Sequence, residues 1–268
     1  MKLIFLDIDG TLTVAGENVP PQSALNAIRA ARANGHKVFL CTGRSYSMSK
    51  EIAAYGFDGM ICSAGGYILC DGEIIYDCPM DAGELRRVLD IMSDPAIFCI
   101  LEGKSKTFAD VDAEKFGSAN SEARRWRKML TDSFDVSPIR DYDGQPVYKI
   151  SFLCLRRDAL ERPRELLESR YQFCLQDFLI GDTVNGELIS HAFNKGAAIR
   201  RVCDYLGVPV ADTVGFGDSM NDLDMIKTAG IGVCMGNGSE TLKAESDMVC
   251  PPVDADGLAA AFRELGLA

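Results

Sequence analysis

The earliest residues that could do chemistry are a pair of aspartates at the end of the first apolar run. Residues 2–8 are nearly all apolar, Asp7 and Asp9 lie one residue apart, and Gly10 follows them. Such a run is typical of a strand buried on both faces of a parallel sheet, where side chains two residues apart share a face if the chain stays extended. Two carboxylates there repel each other and are costly to bury without a cation. The pattern therefore predicts a cation site where the chain turns at Gly10.

A second acidic group repeats this arrangement late in the chain. Residues 212–218 form another apolar strand that ends on Asp218, and Asn221 and Asp222 follow three and four residues on. Taken singly, each could be a solvated loop residue or a helix cap. Together with the first pair, they would gather three or four carboxylates at one sheet edge, where ligands bind in open α/β sheets. Hard oxygen ligands of this kind favour Mg²⁺.

Two further positions suit a phosphate group. Thr42 follows the apolar strand at residues 37–41 and offers a hydroxyl, with the amide of Gly43 beside it at a turn. Lys195 lies in the first turn of a predicted helix with Asn194 as N-cap, so it places a cation near the helical amides. Each has an ordinary structural alternative, since Thr42 could cap the next helix and Lys195 could be a surface lysine.

These residues are positioned by an α/β framework. A helix predicted between Pro20 and Gly35 separates the first two strands, and this strand–helix–strand unit indicates a parallel sheet with a right-handed crossover. The same alternation returns in the last third of the sequence. Residues from about 80 to 190 instead mix short strands and helices, which indicates an α+β insertion. β-Hairpins are predicted around Asp71-Gly72 and around Asn185-Gly186. The expected fold is a core built from both parts of the chain around an inserted domain.

The composition of the chain excludes some classes of partner. Its 268 residues carry a formal net charge of −11, which argues against nucleic acid or a membrane surface as the main partner. The ten cysteines include no C-x-x-C pair and lie mostly in apolar runs, as expected of reduced cysteines in a cytoplasmic protein. The first apolar stretch is interrupted by Asp7 and resembles neither a signal peptide nor a membrane span.

The order of four short motifs resembles the haloacid dehalogenase (HAD) superfamily. They are Asp-Ile-Asp-Gly-Thr at 7–11, Thr-Gly-Arg at 42–44, Asn-Lys-Gly at 194–196 and Gly-Asp-Ser-Met-Asn-Asp at 217–222. The chain is similar to HAD phosphatases of the Cof type. This resemblance implies a Rossmann-like α/β core with a parallel sheet, an inserted α+β cap domain of the C2 (IIB) type and a Mg²⁺ cofactor. It places the catalytic core at residues 1–80 and 191–268 and the cap at residues 81–190.

The resemblance also assigns a role to each motif residue. Asp7 matches the nucleophile, and Asp9 matches the general acid and base, whose backbone carbonyl would bind the metal. Lys195 matches the cation that holds nucleophile and phosphate together. Thr42, Gly43 and Asn221 match residues that bind phosphate, and Arg44 matches a position that could reach the substrate. Asp218 matches a residue that binds the metal together with Asp7. Asp222 matches a residue that orients the lysine or a water bound to the metal.

Three features fall outside the motifs. Ala64-Gly65-Gly66 stands where relatives commonly have Asn-Gly-Ala, so a side-chain amide beside the site or near the cap hinge is missing. The basic run at residues 124–128 indicates the solvated face of a helix with Trp126 on its packed side, or alternatively an anion contact. His191 is one of two histidines, and we expect it to be structural rather than catalytic.

The expected function is hydrolysis of a small phosphate monoester, a sugar phosphate by family resemblance, through an aspartyl-phosphate intermediate. Two alternatives stay open: a phosphomutase or other phosphotransferase on the same core, and a non-enzymatic receiver whose phosphorylated aspartate is read by a partner. The large insertion and the acid–base residue Asp9 argue against the receiver, because a signalling phosphoryl group must persist. The expected partner is a small phosphorylated metabolite, and the chain is expected to be a monomer or a homodimer.

Overall fold

The structure is a computed structural model that describes residues 1–112, 124–128, 130, 136–177 and 182–268. The chain divides into two compact units. The first consists of Met1–Arg44, Met48–Asp77 and Phe193–Ala268, and the second consists of Ser45–Ser47 and Cys78–Ala192. Each unit has a β-sheet and a hydrophobic core of its own.

An eight-stranded sheet forms the centre of the first unit. With strands numbered along the chain, it contains β1 (Leu3–Leu6), β2 (Lys37–Cys41), β3 (Gly59–Cys62), β4 (Tyr67–Cys70), β5 (Glu73–Asp77), β12 (Thr213–Gly217), β13 (Ile231–Cys234) and β14 (Met248–Val249). Their order is β14-β13-β12-β1-β2-β3-β4-β5, and the strands from β14 to β3 run parallel. β4 and β5 are antiparallel, and Asp71 and Gly72 between them both have positive φ, which confirms the predicted hairpin.

The helices of this part of the chain follow the predicted alternation with strands. They are α1 (Gln22–Ala33), α2 (Tyr46–Ala53), α6 (Lys195–Leu206), α7 (Leu223–Thr228), α8 (Glu240–Ala244) and α9 (Gly257–Glu264). α1 buries Leu25, Ile28 and Ala31, the apolar stripe that its sequence predicts. α6 begins at the predicted N-cap Asn194 and ends at Gly207 in the left-handed conformation.

The core of the first unit is apolar on both faces of the central strands. Every residue of β1 is buried, and the rings of Phe5 and Phe39 stack with centroids 5.2 Å apart. Ile199 and Val202 of α6 pack against the same cluster. Because the strands are covered in this way, polar side chains can gather only where the strands end.

A six-stranded sheet forms the second unit. It contains β6 (Ile97–Gly103), β7 (Thr107–Ala109), β8 (Val136–Pro138), β9 (Val147–Cys154), β10 (Tyr171–Asp177) and β11 (Val184–Ser190), in the order β10-β11-β9-β6-β7-β8. Neighbouring strands are antiparallel except β7 and β8. Helices α3 (Ala82–Ile91) and α5 (Glu161–Leu167) contribute to the core around Ile150 and Phe152. The predicted α+β character of this segment is confirmed.

The basic run and His191 both have structural contacts in this unit. Residues 124–128 and 130 are helical and form the described part of α4, and Trp126 packs against Phe98, on the packed side that the sequence predicts. The guanidinium Nε of Arg127 donates to the carbonyl of Val111 at 2.6 Å. His191 donates its backbone N–H to the carbonyl of Arg170. These contacts favour the structural interpretation of both features.

The consecutive strands β10 and β11 pair antiparallel, as the hairpin predicted around Asn185-Gly186 requires, but the turn is not at that dipeptide. Both residues lie inside β11, which pairs with β9 on one side and β10 on the other. Gly186 lies opposite Phe152, and a Cβ built on the glycine would come within 2.4 Å of Cζ of that ring. The glycine therefore makes room for an aromatic side chain on the neighbouring strand instead of forming a turn.

The cysteines behave as the sequence predicts. All ten are free, and eight of them are buried. Within the described ranges, no helix combines the length and the hydropathy that a membrane crossing requires.

Candidate active site

Three neighbouring parallel strands present polar residues at one edge of the first sheet. Asp7 directly follows β1, Asp218 follows β12 and Thr42 follows β2. Because β1 lies between β12 and β2, these three positions are adjacent. The structure thus brings together the strand-end residues that the sequence analysis selected.

Lys195 reaches this edge from the first turn of α6. Its Nζ donates to Oδ1 of Asp7 at 2.7 Å and to Oδ1 of Asp222 at 2.5 Å. The lysine side chain is 1% exposed, and the two carboxylates are 6% and 0% exposed. Burial alone would lower the pKa of Lys195, but the two carboxylates outweigh burial and raise the pKa. The ammonium group is therefore a fixed positive charge between two aspartates.

Asp222 is held by protein donors on both of its oxygens. Oδ1 accepts from Lys195, and Oδ2 accepts the backbone N–H groups of Asp218 at 3.0 Å and Ser219 at 3.1 Å. The Ser219 side chain completes a capping box with Asp222. Asp222 thereby fixes both the lysine and the turn that carries Asp218.

The carboxylates form a cluster whose charge and geometry fit a divalent cation. Asp7, Asp218 and Asp222 offer oxygens that all lie within 4.8 Å of one another. When all three carboxylates are ionised, their negative charge exceeds the positive charge of the Lys195 ammonium by two. Burial and the charge of Asp222 raise the pKa of Asp7 to about 8, against the opposing effect of Lys195, and raise the pKa of Asp218 to about 6. An all-oxygen set that needs positive charge is a suitable site for Mg²⁺.

Asp9 does not join this buried cluster. β1 ends at Leu6, so the extended conformation that would place Asp7 and Asp9 on one face is not continued. Nε of Arg44 donates to Oδ2 of Asp9 at 2.7 Å, and Nη2 donates to Oδ1 at 2.6 Å. Burial alone would raise the pKa of Asp9, but the hydrogen bonds and charge of Arg44, with the Gly16 N–H, bring the pKa below its ordinary value. Arg44, expected to reach the substrate, here binds the predicted acid–base residue.

The predicted phosphate-binding residues lie beside this pair. Thr42 is buried, and its Oγ1 accepts the backbone N–H of Arg44 at 3.0 Å. A Cβ built on Gly43 would lie 3.9 Å from Nδ2 of Asn221, so these two residues are close. Oδ1 of Asn221 accepts from the Ser219 hydroxyl at 2.7 Å, which sets the direction of the amide.

Gly10 lets two loops of the site approach each other. It has a φ of 82°, and a Cβ built on it would come within 2.4 Å of Oδ2 of Asp218. Next to it, the Thr11 hydroxyl donates to Oδ1 of Asp218 at 3.3 Å. The loop after Asp7 therefore packs directly on the Asp218 carboxylate, and no larger residue fits at Gly10 without a shift.

The segment that departs from the usual Asn-Gly-Ala pattern forms an unusual turn after β3. Ser63, Ala64 and Gly65 have φ values of 50°, 56° and 112°. The Ala64 N–H donates to the carbonyl of Thr42 at 2.9 Å, which ties the turn to the site. Asparagine tolerates the left-handed region better than alanine does. Ala64 therefore occupies, without a side-chain amide, a backbone conformation that suits asparagine better.

One residue of the site was missed by the sequence analysis. Asn237 lies in the loop after β13, and its Nδ2 donates to the carbonyl of Gly10 at 2.8 Å. Its Oδ1 accepts the Val253 N–H at 2.9 Å. A signal was present, because β13 is another parallel strand and the residues after it must reach the same sheet edge.

Comparison with known proteins identifies the family. The family model described as haloacid dehalogenase-like hydrolase matches residues 4–262. The YkrA protein of Bacillus subtilis (strain 168) is 31% identical over 272 residues, which cover 99% of this chain and 98% of YkrA. The 5-amino-6-(5-phospho-D-ribitylamino)uracil phosphatase YwtE of the same organism is 27% identical, with 97% of this chain and 96% of YwtE covered.

A solved structure agrees with this assignment. A hypothetical protein from Geobacillus kaustophilus HTA426 has a TM-score of 0.83 and 25% identity, with 100% of this chain and 99% of that chain covered. The predicted Rossmann-like core with a parallel sheet and an inserted α+β domain is confirmed, and so is the resemblance that the four motifs indicate. The chain belongs to the family of haloacid dehalogenase-like hydrolases.

Proposed function

We propose that this protein is a Mg²⁺-dependent phosphatase that hydrolyses a small phosphate monoester through an aspartyl-phosphate intermediate on Asp7. The observation that carries the proposal is the buried contact of 2.7 Å between Lys195 and Asp7, at a strand end beside Asp218. A carboxylate attacks a phosphoryl group only where the repulsion between the two anions is cancelled. A fixed lysine and a cation-binding cluster at one aspartate supply what that reaction needs.

Asp7 is the proposed nucleophile. Lys195 holds Oδ1, and Oδ2 would form the new bond to phosphorus while the bond from phosphorus to the leaving oxygen breaks. The Thr42 Oγ1 accepts from the Arg44 N–H, so its own proton can be donated to a phosphoryl oxygen. The Gly43 and Asn221 amides would donate to the remaining phosphoryl oxygens. The covalent intermediate divides one difficult displacement into two easier ones.

Asp9 is the proposed general acid and base. It would give a proton to the leaving oxygen in the first step and take one from the attacking water in the second, which frees Asp7. Arg44 favours the ionised form of Asp9. A substrate oxygen that binds Arg44 would weaken this effect, so the pKa of Asp9 would rise and Asp9 could carry the proton that the first step requires. Arg44 would then make its expected contact with the substrate.

Asp7 and Asp218, with the backbone carbonyl of Asp9, are the proposed Mg²⁺ ligands. The bound ion would neutralise negative charge on the nucleophile and on the phosphoryl oxygens. The excess of carboxylates over ammonium groups in the cluster supports this assignment. Asp222 would keep Asp218 and Lys195 in place through the hydrogen bonds described above.

The proposed substrate is a phosphorylated sugar or sugar alcohol. The relative YwtE is named for a substrate that carries a phosphorylated ribityl chain, and it matches nearly the whole of this chain. Residues 81–190 would act as a cap domain that selects the leaving group. The net charge of −11 means that phosphate must be held by the local cations of the site rather than by the surface of the protein.

The test is phosphate release from p-nitrophenyl phosphate and a panel of sugar phosphates, with Mg²⁺ and with EDTA. Wild type is compared with Asp7→Asn and with Asp212→Asn, a control that neutralises an exposed aspartate of the same unit. We expect Mg²⁺-dependent release that Asp7→Asn abolishes and Asp212→Asn retains. Release that persists in EDTA, or an undiminished rate in Asp7→Asn, would contradict the proposal.

A further inference from the structure

The side chain of Asn237 connects the loop that follows Asp7 to the segment that precedes α9. It spans from the Gly10 carbonyl, 2.8 Å from Nδ2, to the Val253 N–H, 2.9 Å from Oδ1. A carbonyl can only accept and an N–H can only donate, so both partners require the amide in this one orientation. The terminal amide supplies both the donor and the acceptor that these two partners need.

The segment around Asn237 also holds the loop that carries Asp218. The Ser239 N–H donates to the carbonyl of Asp218 at 2.9 Å. A Cβ built on Gly238 would lie 2.8 Å from the same carbonyl oxygen, so this segment packs on the Asp218 backbone without spare room. Residues 235–239 therefore contact the loop of Gly10 through a side chain and the loop of Asp218 through the backbone.

The Gly10 peptide is a sensitive point for this connection. Gly10 itself lies so close to Asp218 that a Cβ would overlap Oδ2, and it directly follows Asp9, whose carbonyl is a proposed metal ligand. A displacement of Gly10 would move the adjoining Asp9 carbonyl relative to the Asp218 carboxylate, because the two residues share a planar peptide group. Metal affinity depends on such distances, because Mg²⁺ accepts little deviation from its preferred geometry.

We propose that Asn237 is a positioning residue which, by holding the Gly10 carbonyl, sets the spacing between the Asp7–Gly10 loop and Asp218 and thereby the affinity of the site for Mg²⁺. This inference rests on the proposed function, because its metal is the Mg²⁺ proposed there. It adds Asn237 to the residues that determine metal binding. Asn237 touches neither the carboxylate cluster nor, in the proposed mechanism, the reacting atoms. Its effect passes through Gly10.

The test compares Asn237→Ala and Asn237→Asp with the control Asn34→Ala. Asn34 is a second exposed asparagine of the same unit whose Nδ2 donates to a backbone carbonyl, that of Leu267, at 3.3 Å. Two quantities are measured for each protein: the Mg²⁺ concentration that gives half-maximal phosphate release, and the rise in Tm that Mg²⁺ produces without substrate. The second quantity does not depend on activity.

We expect Asn237→Ala to raise the half-saturating Mg²⁺ concentration about three- to tenfold, the factor that the loss of one ordinary hydrogen bond produces. The Mg²⁺-induced rise in Tm should shrink in parallel, and excess Mg²⁺ should recover most of kcat. Asn34→Ala should match wild type in both measurements. Asn237→Asp keeps the acceptor for Val253 and loses the donor to Gly10, so it should also weaken Mg²⁺ binding, whereas an effect of the added charge alone would strengthen it.

The outcomes separate this inference from the proposed function. A variant Asn237→Ala with a lower Tm but an unchanged Mg²⁺ response would overturn the positioning role and leave a structural one. If wild type releases no phosphate but gains stability from Mg²⁺, the proposed function fails, while the Tm comparison still decides the role of Asn237. A wild type without any response to Mg²⁺ would overturn both.

Discussion

Lys195 and Asp7 stand 188 positions apart in the sequence and meet at 2.7 Å in the interior of the first unit. The contact joins the first turn of α6 to the end of β1, and Asp222 binds the same ammonium from the other side. Charges so fully buried are tolerated only with good partners, because removing them from water is costly. The pair thus contributes to the stability of the fold as well as to the proposed chemistry. Mutation of either residue should therefore affect both stability and activity.

The first prediction concerns the removal of this cation. Lys195→Met should lower the free energy of unfolding by about 3–5 kcal/mol in EDTA, since it leaves Asp7 and Asp222 buried without their partner. Mg²⁺ should stabilise the variant more than wild type, because the ion then supplies the missing charge. Urea unfolding with and without Mg²⁺ measures both effects.

The matched control for this variant is Lys227→Met. Lys227 pairs with Glu245 at 2.9 Å, but its side chain is 51% exposed, and such a pair contributes at most about 1 kcal/mol. Equal losses of stability in the two variants would contradict the importance assigned to the buried pair.

The second prediction concerns the acid–base residue. Asp9→Asn should slow turnover about 10²- to 10⁴-fold, the range typical of a lost proton-transfer group. If Asp9 also activates the water of the second step, the phosphoenzyme should accumulate in this variant. Rapid acid quenching followed by intact-mass measurement would detect one added phosphoryl group.

The control is Asp58→Asn, a second aspartate that an arginine holds through two hydrogen bonds. Arg32 donates to Asp58 through Nε and Nη2, both at 2.9 Å, in the geometry of the pair between Arg44 and Asp9. Asp58→Asn should not reduce turnover by more than its effect on stability explains. A wild-type rate in Asp9→Asn would remove Asp9 from the mechanism.

The site residues that could be predicted from the sequence are those that lie at the end of a strand or at the start of a helix. Asp7, Thr42 and Asp218 each follow a buried strand, and adjacent parallel strands must end side by side. Lys195 follows a recognisable N-cap, Asn194. These positions depend on local patterns and on the topology alone, so they could be derived without coordinates.

Other features depend on loop conformation and could not be derived in that way. The pairing of Arg44 with Asp9 arises because the chain leaves the extended conformation after Leu6. The contact between Asn237 and Gly10 joins two loops that are remote in sequence. The turn predicted around Asn185-Gly186 was misplaced, because Gly186 makes room for the Phe152 ring on the neighbouring strand and does not form a turn.

The third prediction concerns pH and stability. Nδ1 of His36 accepts the backbone N–H of Lys2 at 2.9 Å, which requires the ring nitrogen to be unprotonated. Burial, with the positive charges of the Met1 amino group and Lys2, lowers the pKa of His36. A folded-state pKa below the unfolded value of about 6.5 means that this contribution is present above that pH and is lost as the pH falls below it.

His36→Asn should therefore be less sensitive to pH, because an asparagine oxygen can accept the same hydrogen bond and does not titrate. The difference in Tm between wild type and His36→Asn is measured from pH 7.5 to pH 5. It should shift steadily in favour of the variant as the pH falls. The carboxylates of the site are common to both proteins, so their titration cancels in the difference. A constant difference across this range would show that His36 has no such role.

The fourth prediction separates backbone conformation from close packing at Gly10. Gly10 and Gly16 have nearly the same φ, 82° and 84°, but a Cβ would overlap the Asp218 carboxylate at the first and meet nothing within 4 Å at the second. Gly16→Ala should cost about 1 kcal/mol, the penalty of a left-handed alanine, with the Mg²⁺ dependence unchanged.

Gly10→Ala should carry that same penalty and, in addition, displace Asp218, so turnover should fall about 100-fold, as a shift of roughly 1 Å in a reacting group produces. Urea unfolding and the Mg²⁺ dependence of phosphate release measure the two effects separately. If the methyl group at position 10 displaces Asp218, excess Mg²⁺ should restore only part of the lost rate, because the distance between ligands has changed and not only their occupancy. Equal behaviour of the two alanine variants would mean that the left-handed conformation, and not the contact with Asp218, is why a glycine stands there.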